Sequence, residues 1–203
     1  MKIPNNYDRN AAEGFEALTP GGHKCVIMQA EEKKSQNGKQ MLVVSFDTAE
    51  DDTKPKYFSN RYLADTRADK KWQGNAYIVL EGDYAEANLN RLLGALDNSN
   101  ENFNPAKGGE LDPAELKGLK VGIVFRREEY INMGGEVRSS VKHFRWCSYD
   151  KAPDQEAPQP KLLQSSANAL NATRPQTAVV TPSAAGFIDV PADALEDEGL
   201  PFH

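Results

Sequence analysis

The chain is poor in the features that would place it in several large classes. No apolar run among its 203 residues approaches the roughly 18 that a membrane helix needs, so no membrane span and no membrane partner are expected. Two cysteines, Cys25 and Cys147, cannot staple a secreted disulfide scaffold and fit a reducing compartment. The opening Met1-Lys2-Ile3-Pro4-Asn5-Asn6 lacks the apolar core of a secretory signal, so a cytoplasmic location is expected. Catalytic signatures are missing too. There is no Gly-rich loop ending in Lys-Ser/Thr, no His-Glu-x-x-His and no Gly-x-Ser-x-Gly. Asp51-Asp52 and Glu128-Glu129 are adjacent carboxylates that point apart in a strand or loop, and they read as solvated charges. A protein that is not an enzyme and carries no cofactor is therefore expected.

What is present divides unevenly along the chain. Net charge is −6 over the whole sequence. Residues 151–203 hold three cations against seven carboxylates, net −4, so the remaining part is near neutral and any affinity for nucleic acid must come from a local patch. Residues 151–193 are rich in Pro, Gln, Ala, Ser, Thr and Asn with no persistent apolar period, the composition of a disordered linker. The expected organisation is a leader over 1–20, a folded domain over 21–150, that linker, and a tip over 194–203.

Within the domain the pattern is mainly β. His23–Ala30 and Met41–Phe46 read as strands around Asn37-Gly38, the strongest short hairpin signal. Met41–Phe46 is apolar on both faces and should be central. Asp47–Lys56 reads as a polar loop and Tyr57–Leu63 as a third strand. Asp83-Tyr84-Ala85-Glu86 has the form of a capping box, and Leu89, Leu92, Leu93 and Leu96 follow as one helical stripe. Asp112-Pro113 should open one short turn ending at Gly118. Lys120–Arg127 reads as the fourth strand, with Val121, Ile123 and Phe125 on one face. Met133-Gly134-Gly135-Glu136 reads as a hairpin turn, and Val137–Ser148 as the fifth strand. Three strands, a helix and two strands suit a five-stranded Greek-key barrel of the oligonucleotide/oligosaccharide-binding (OB) type, with its helix between strands 3 and 4.

Two constellations bear on function. His23-x-Cys25 and His143-x-x-x-Cys147 each place two metal-type ligands on one strand face. The loop spacings of ordinary zinc modules are absent, and buried or edge positions account for these residues better than a metal site does. The second constellation is basic and aromatic. Arg126, Arg127, Arg138, Lys142, Phe144 and Trp146 crowd the last two strands, with Lys33, Lys34 and Lys39 on the first hairpin and Tyr57, Arg61 and Tyr62 on the third strand. Strand alternation puts Arg138, Ser140, Lys142, Phe144 and Trp146 on one face. Cations neutralise phosphates and rings stack on unpaired bases, which is what a single strand requires. The competing reading has Phe144 and Trp146 in the core and the cations merely solvated.

The tail tip favours the first of these. Glu196-Asp197-Glu198-Gly199-Leu200-Pro201-Phe202, followed here by His203, resembles the C-terminal tip of bacterial and phage single-stranded DNA-binding proteins. Gly22-His23-Lys24, the stretch Lys34–Leu42 around Asn37-Gly38 and the paired strands before the linker resemble the phage-encoded members over about residues 20–150. The resemblance implies an OB domain that coats single-stranded DNA without sequence preference. It implies replication, recombination or repair in the bacterial host cytoplasm, and homo-oligomers. Glu196, Asp197, Glu198, Leu200, Pro201 and Phe202 would recruit replication or recombination proteins, carboxylates and an aromatic plug meeting a pocket rimmed by cations. The alternative is an adaptor of a replication or recombination complex with little affinity for DNA.

Overall fold

The structure is a computed structural model that describes residues 16–106 and 108–163. In chain order its elements are β1 (Gly21–Lys34), β2 (Gln40–Thr48), α1 (Tyr57–Ala64), β3 (Asn75–Val79), α2 (Ala85–Asp97), a 3-10 turn (Pro113–Leu116), β4 (Lys120–Ile131) and β5 (Val137–Cys147). The strands form one antiparallel sheet in the order β3-β2-β1-β4-β5. β4 returns over a long connection to lie beside β1, which is the Greek-key arrangement. α2 falls between the third and fourth strands, as the element order requires. The fold is thus mainly β and OB-like, but the sheet does not close into a barrel: among the described residues no ladder joins β3 to β5. β3 offers only five residues for pairing, and α2 packs against both strands that flank the gap.

The core follows the alternation of the strands. Val121, Ile123 and Phe125 are buried together, as expected, with Cys25, Ile27, Val44 and Phe46. Leu92 and Leu96 reach the same core, and Leu89 and Leu93 pack at its margin, so the helical stripe lies where its spacing put it. Asp112 accepts from the Ala114 N–H at 2.9 Å and starts the 3-10 turn. The expected capping box does not form: α2 begins at Ala85 with Tyr84 at its N-cap, and no side chain caps it. Asp83 and Glu86 are exposed instead.

The largest departure from expectation is Tyr57–Leu63, which is helix and not strand. Tyr57 and Phe58 are both buried, which a half-buried strand with alternating faces cannot achieve. The helix start is held from β2. Asp47, 4% exposed, accepts from the Phe58 and Ser59 N–H groups at 2.8 and 3.2 Å and from the Ser59 hydroxyl. The Thr48 hydroxyl accepts from the Tyr57 N–H at 2.8 Å. Asp47 and Thr48 therefore end β2 as a buried cap and are not part of a polar loop. The third strand is Asn75–Val79, whose Ala76 and Ile78 face the core.

The folded unit also continues past residue 150, where a linker was expected. Residues 148–163 run back over the sheet as a strap. Ala152 is fully buried and the Gln155 carbonyl accepts from the Gly22 N–H at 3.1 Å. A side chain at Gly22 would lie 1.9 Å from the Ala152 oxygen, and one at Gly122 would meet the Ser148 oxygen at 2.5 Å. These two glycines let the strap touch the backbone. Near the end of the strap, Lys161 joins the free edge of β4 through the Arg127 carbonyl and the Glu129 N–H, both at 2.9 Å. The leader to residue 15, the linker from residue 164 and the tip at Glu196, Asp197, Glu198, Leu200, Pro201 and Phe202 lie outside the described residues.

Candidate nucleic-acid interface

The β4–β5 ladder sets the site. Cross-strand partners share a face, so its register assigns every side chain to one side of the sheet. On the outer face the successive rungs are Val124–Arg145, Arg126–Lys142, Glu128–Ser140 and Tyr130–Arg138. The core side takes Ile123–Trp146, Phe125–His143 and Arg127–Val141. A register shift falls between Val124 and Phe125, leaving Phe144 as an extra residue on β5. That bulge breaks the expected alternation. Arg138, Ser140, Lys142 and Phe144 share the outer face, whereas Trp146 turns inward and packs against Phe46 with ring centroids 6.3 Å apart.

The outer face is a cationic strip with flat surfaces in it. The Arg126 guanidinium lies 4.5 Å from the centroid of the Phe144 ring and also donates to Glu128, with Nη2 at 2.6 Å. Arg138 donates to Glu136 at 2.6 Å, and that hydrogen bond holds the Glu136 carboxyl below its usual range. Arg145 donates to the strap residue Gln155 at 2.8 Å. Lys142 and Arg127 are exposed and without an ion-pair partner among the described residues. The carboxylates on the hairpin are all engaged: Glu128 by Arg126, Glu136 by Arg138, and Glu129 by the Leu163 N–H at 3.1 Å. The exposed Tyr130 ring stands opposite Arg138.

Other expected site residues are placed elsewhere. Lys33, Lys34 and Lys39 are exposed on the β1–β2 hairpin, a different end of the sheet, and Lys33 pairs with Glu31 at 2.5 Å. α1 carries Tyr57, Arg61 and Tyr62. Tyr57 is buried and its hydroxyl accepts from Arg61 at 3.2 Å, so it offers no stacking surface. Tyr62 is half-buried under Lys70, whose ammonium sits 4.4 Å from the ring centroid.

The sequence reading missed Tyr77, 39% exposed on β3. It stands opposite Val43, in the outer row next to Met41 and Val79, with Lys33 paired to Met41. The β2–β3 surface is one that OB folds use for binding. The alternation of Asn75–Val79 was the available signal, and assigning the third strand to Tyr57–Leu63 hid it.

The His and Cys residues are parts of the fold. β4 separates β1 from β5, and among the described residues no three His, Cys, Asp or Glu side chains gather as metal ligands. His23 is buried between the Asp52 carboxylate and the Thr19 carbonyl, each 2.9 Å from a ring nitrogen. Burial pushes the Cys25 thiol well up. His143 lies inside, 4.3 Å from the Trp146 ring centroid, its Nε2 enclosed without a hydrogen-bond partner; burial depresses it to about 4. Asp51 and Asp52 are not simply solvated. Asp52 is tucked beneath His23, while Asp51 binds Lys24 at 2.8 Å and accepts from Tyr149, which together hold its carboxyl at about 2.

A family model described as a protein of unknown function (DUF669) matches residues 5–77, a stretch that ends within β3 and leaves out the β4–β5 ladder. No curated protein matches the chain.

Proposed function

We propose that this chain binds single-stranded DNA without sequence preference, through the outer face of β4 and β5. It carries out no chemistry on the strand. The observation that carries the reading is the run of outer rungs Arg126–Lys142 and Tyr130–Arg138 with Phe144 stacked beside Arg126. Cations spaced along two strands meet successive phosphates, while Phe144 and Tyr130 give unpaired bases a flat surface. Tyr77 and Lys33 extend the same chemistry to the β2–β3 face. The setting follows from the resemblance of the tail: replication, recombination or repair in a phage-infected or bacterial cytoplasm. The tip from Glu196 to Phe202 recruits partner enzymes, and removing residues 194–203 should abolish that recruitment while leaving oligonucleotide binding in place.

The test is substitution along the strip. Phe144→Ala should weaken binding to oligo-dT by about 1–3 kcal/mol. Lys142→Ala should reduce the salt dependence by roughly one phosphate contact. If both variants bind as the parent does, the strip is not the interface. A second reading, an adaptor with little DNA affinity, draws on the carboxylates Glu128 and Glu136 that already occupy Arg126 and Arg138. It predicts no salt-dependent oligonucleotide binding at all.

A further inference from the structure

The β4–β5 hairpin projects beyond the rest of the sheet. The last rung shared with β1 is Gly21–Phe125, so Arg126–Ile131 continue for about 20 Å, and among the described residues only Lys161 joins the free edge of β4 there. The turn at its end is rigidly tied. The Asn132 side-chain oxygen accepts from the Gly134 and Glu136 N–H groups at 3.0 and 2.9 Å, and its amide donates to Glu136 at 3.1 Å. Gly135 takes a positive φ of 76° that closes the turn. This frame holds the Met133 side chain fully out in solvent, with Ile131 and its rung partner Val137 exposed just below. Eight large apolar side chains are exposed among the described residues, and four of them, Tyr130, Ile131, Met133 and Val137, fall within this one turn and its flanks. Such clustering marks a contact surface.

The flanking charge selects the occupant. Arg127 and Lys142, cations without an ion-pair partner among the described residues, stand on the stalk below the tip, and the stalk carboxylates are occupied within the protein. An apolar point on a cationic stem suits paired bases edged by phosphates, since Met and Ile side chains insert between base steps and unstack them. The geometry points to a second activity resting on the proposed single-strand binding: the hairpin tip is a wedge for the junction between single- and double-stranded DNA. Ile131 and Met133 enter the terminal base step. The freed strand is then held on the outer strip, which supplies the free energy for opening.

The test uses the full chain and a forked duplex carrying a fluorophore and quencher at the junction, with oligo-dT binding measured in parallel. Ile131→Ser/Met133→Ser should lower junction opening at least tenfold while oligo-dT affinity stays within twofold. Met133→Ser alone, at an apex without buried contacts, serves if the double variant melts at a lower temperature. Parent protein that binds oligo-dT while variant and parent open the fork equally overturns the wedge and leaves single-strand binding standing. A variant that lowers the oligomeric state makes the tip a contact between copies and overturns it also. Parent protein without oligo-dT affinity fails the proposed function itself, and the wedge with it.

Discussion

His143 makes the fold sensitive to pH in a window of its own. It sits on the core side of β5 opposite Phe125, against Trp146, with Nε2 enclosed and unpartnered. Burial therefore disfavours its charged form and lowers it from 6.5 to about 4. Between those values the unfolded chain holds a proton there that the folded chain does not. Stability is then full above pH 6.5, falls as pH drops through the window, and levels off below about 4. A displacement of that size corresponds to about 3 kcal/mol as a ceiling, since His143 is only half-buried and local opening admits water. For a domain of this size, that is a fall in melting temperature of roughly 6–15 °C. The assay is thermal unfolding by circular dichroism at half-unit steps from pH 7.5 to 3.5, for the parent and for His143→Leu. The difference between the two curves should change across pH 6.5 to 4 and be flat outside it. A difference that stays constant over the whole range would refute the reasoning. The carboxylates held low by their partners, Glu50, Asp51, Asp52, Asp65 and Glu136, begin to lose their contribution at the acid end of this window, but they do so in parent and variant alike and cancel in the difference.

Three other perturbations test the architecture. Asp47→Ala removes the buried acceptor for Phe58 and Ser59 and should destabilise the domain by about 2–4 kcal/mol, read by urea unfolding; Asp47→Asn should recover part of it. Gly22→Ala should force the strap off β1 and cost about 1–3 kcal/mol, with faster exchange of the backbone amide at position 22, which donates to the Gln155 carbonyl, as the local readout. Trp146→Ala should lower stability by about 2–3 kcal/mol with little change in oligo-dT affinity measured under native conditions, because the ring faces Phe46 and not the strip.

Much of the fold was legible because local pattern and tertiary environment agreed. The Asn37-Gly38 turn, the Leu92/Leu96 stripe, the Asp112 cap and the alternation of Val121, Ile123 and Phe125 each state their structure within a few residues. What was illegible depended on partners distant in sequence. Tyr57–Leu63 alternates acceptably as a strand, and only the cap from Asp47, eleven residues before Phe58, makes it a helix. Composition cannot show that residues 151–163 pack, because their fit rests on two glycines, Gly22 and Gly122, that give them room. The site was half legible for a related reason. Residue types on β5 announced the cationic strip, but a single-residue bulge at Phe144 decides which rings belong to it, and that bulge leaves no mark in the sequence.

The central claim is that the outer strip holds unpaired strands. Fluorescence anisotropy with labelled dT30 and a duplex of the same length, over 50 to 400 mM salt, tests it most directly. Roughly four phosphate contacts by Arg126, Arg138, Lys142 and Arg145 predict a slope of log K against log[salt] near −3 for dT30, with the duplex bound at least tenfold more weakly because its bases are already stacked. Equal affinity for the two forms, or binding that does not change with salt, would contradict it.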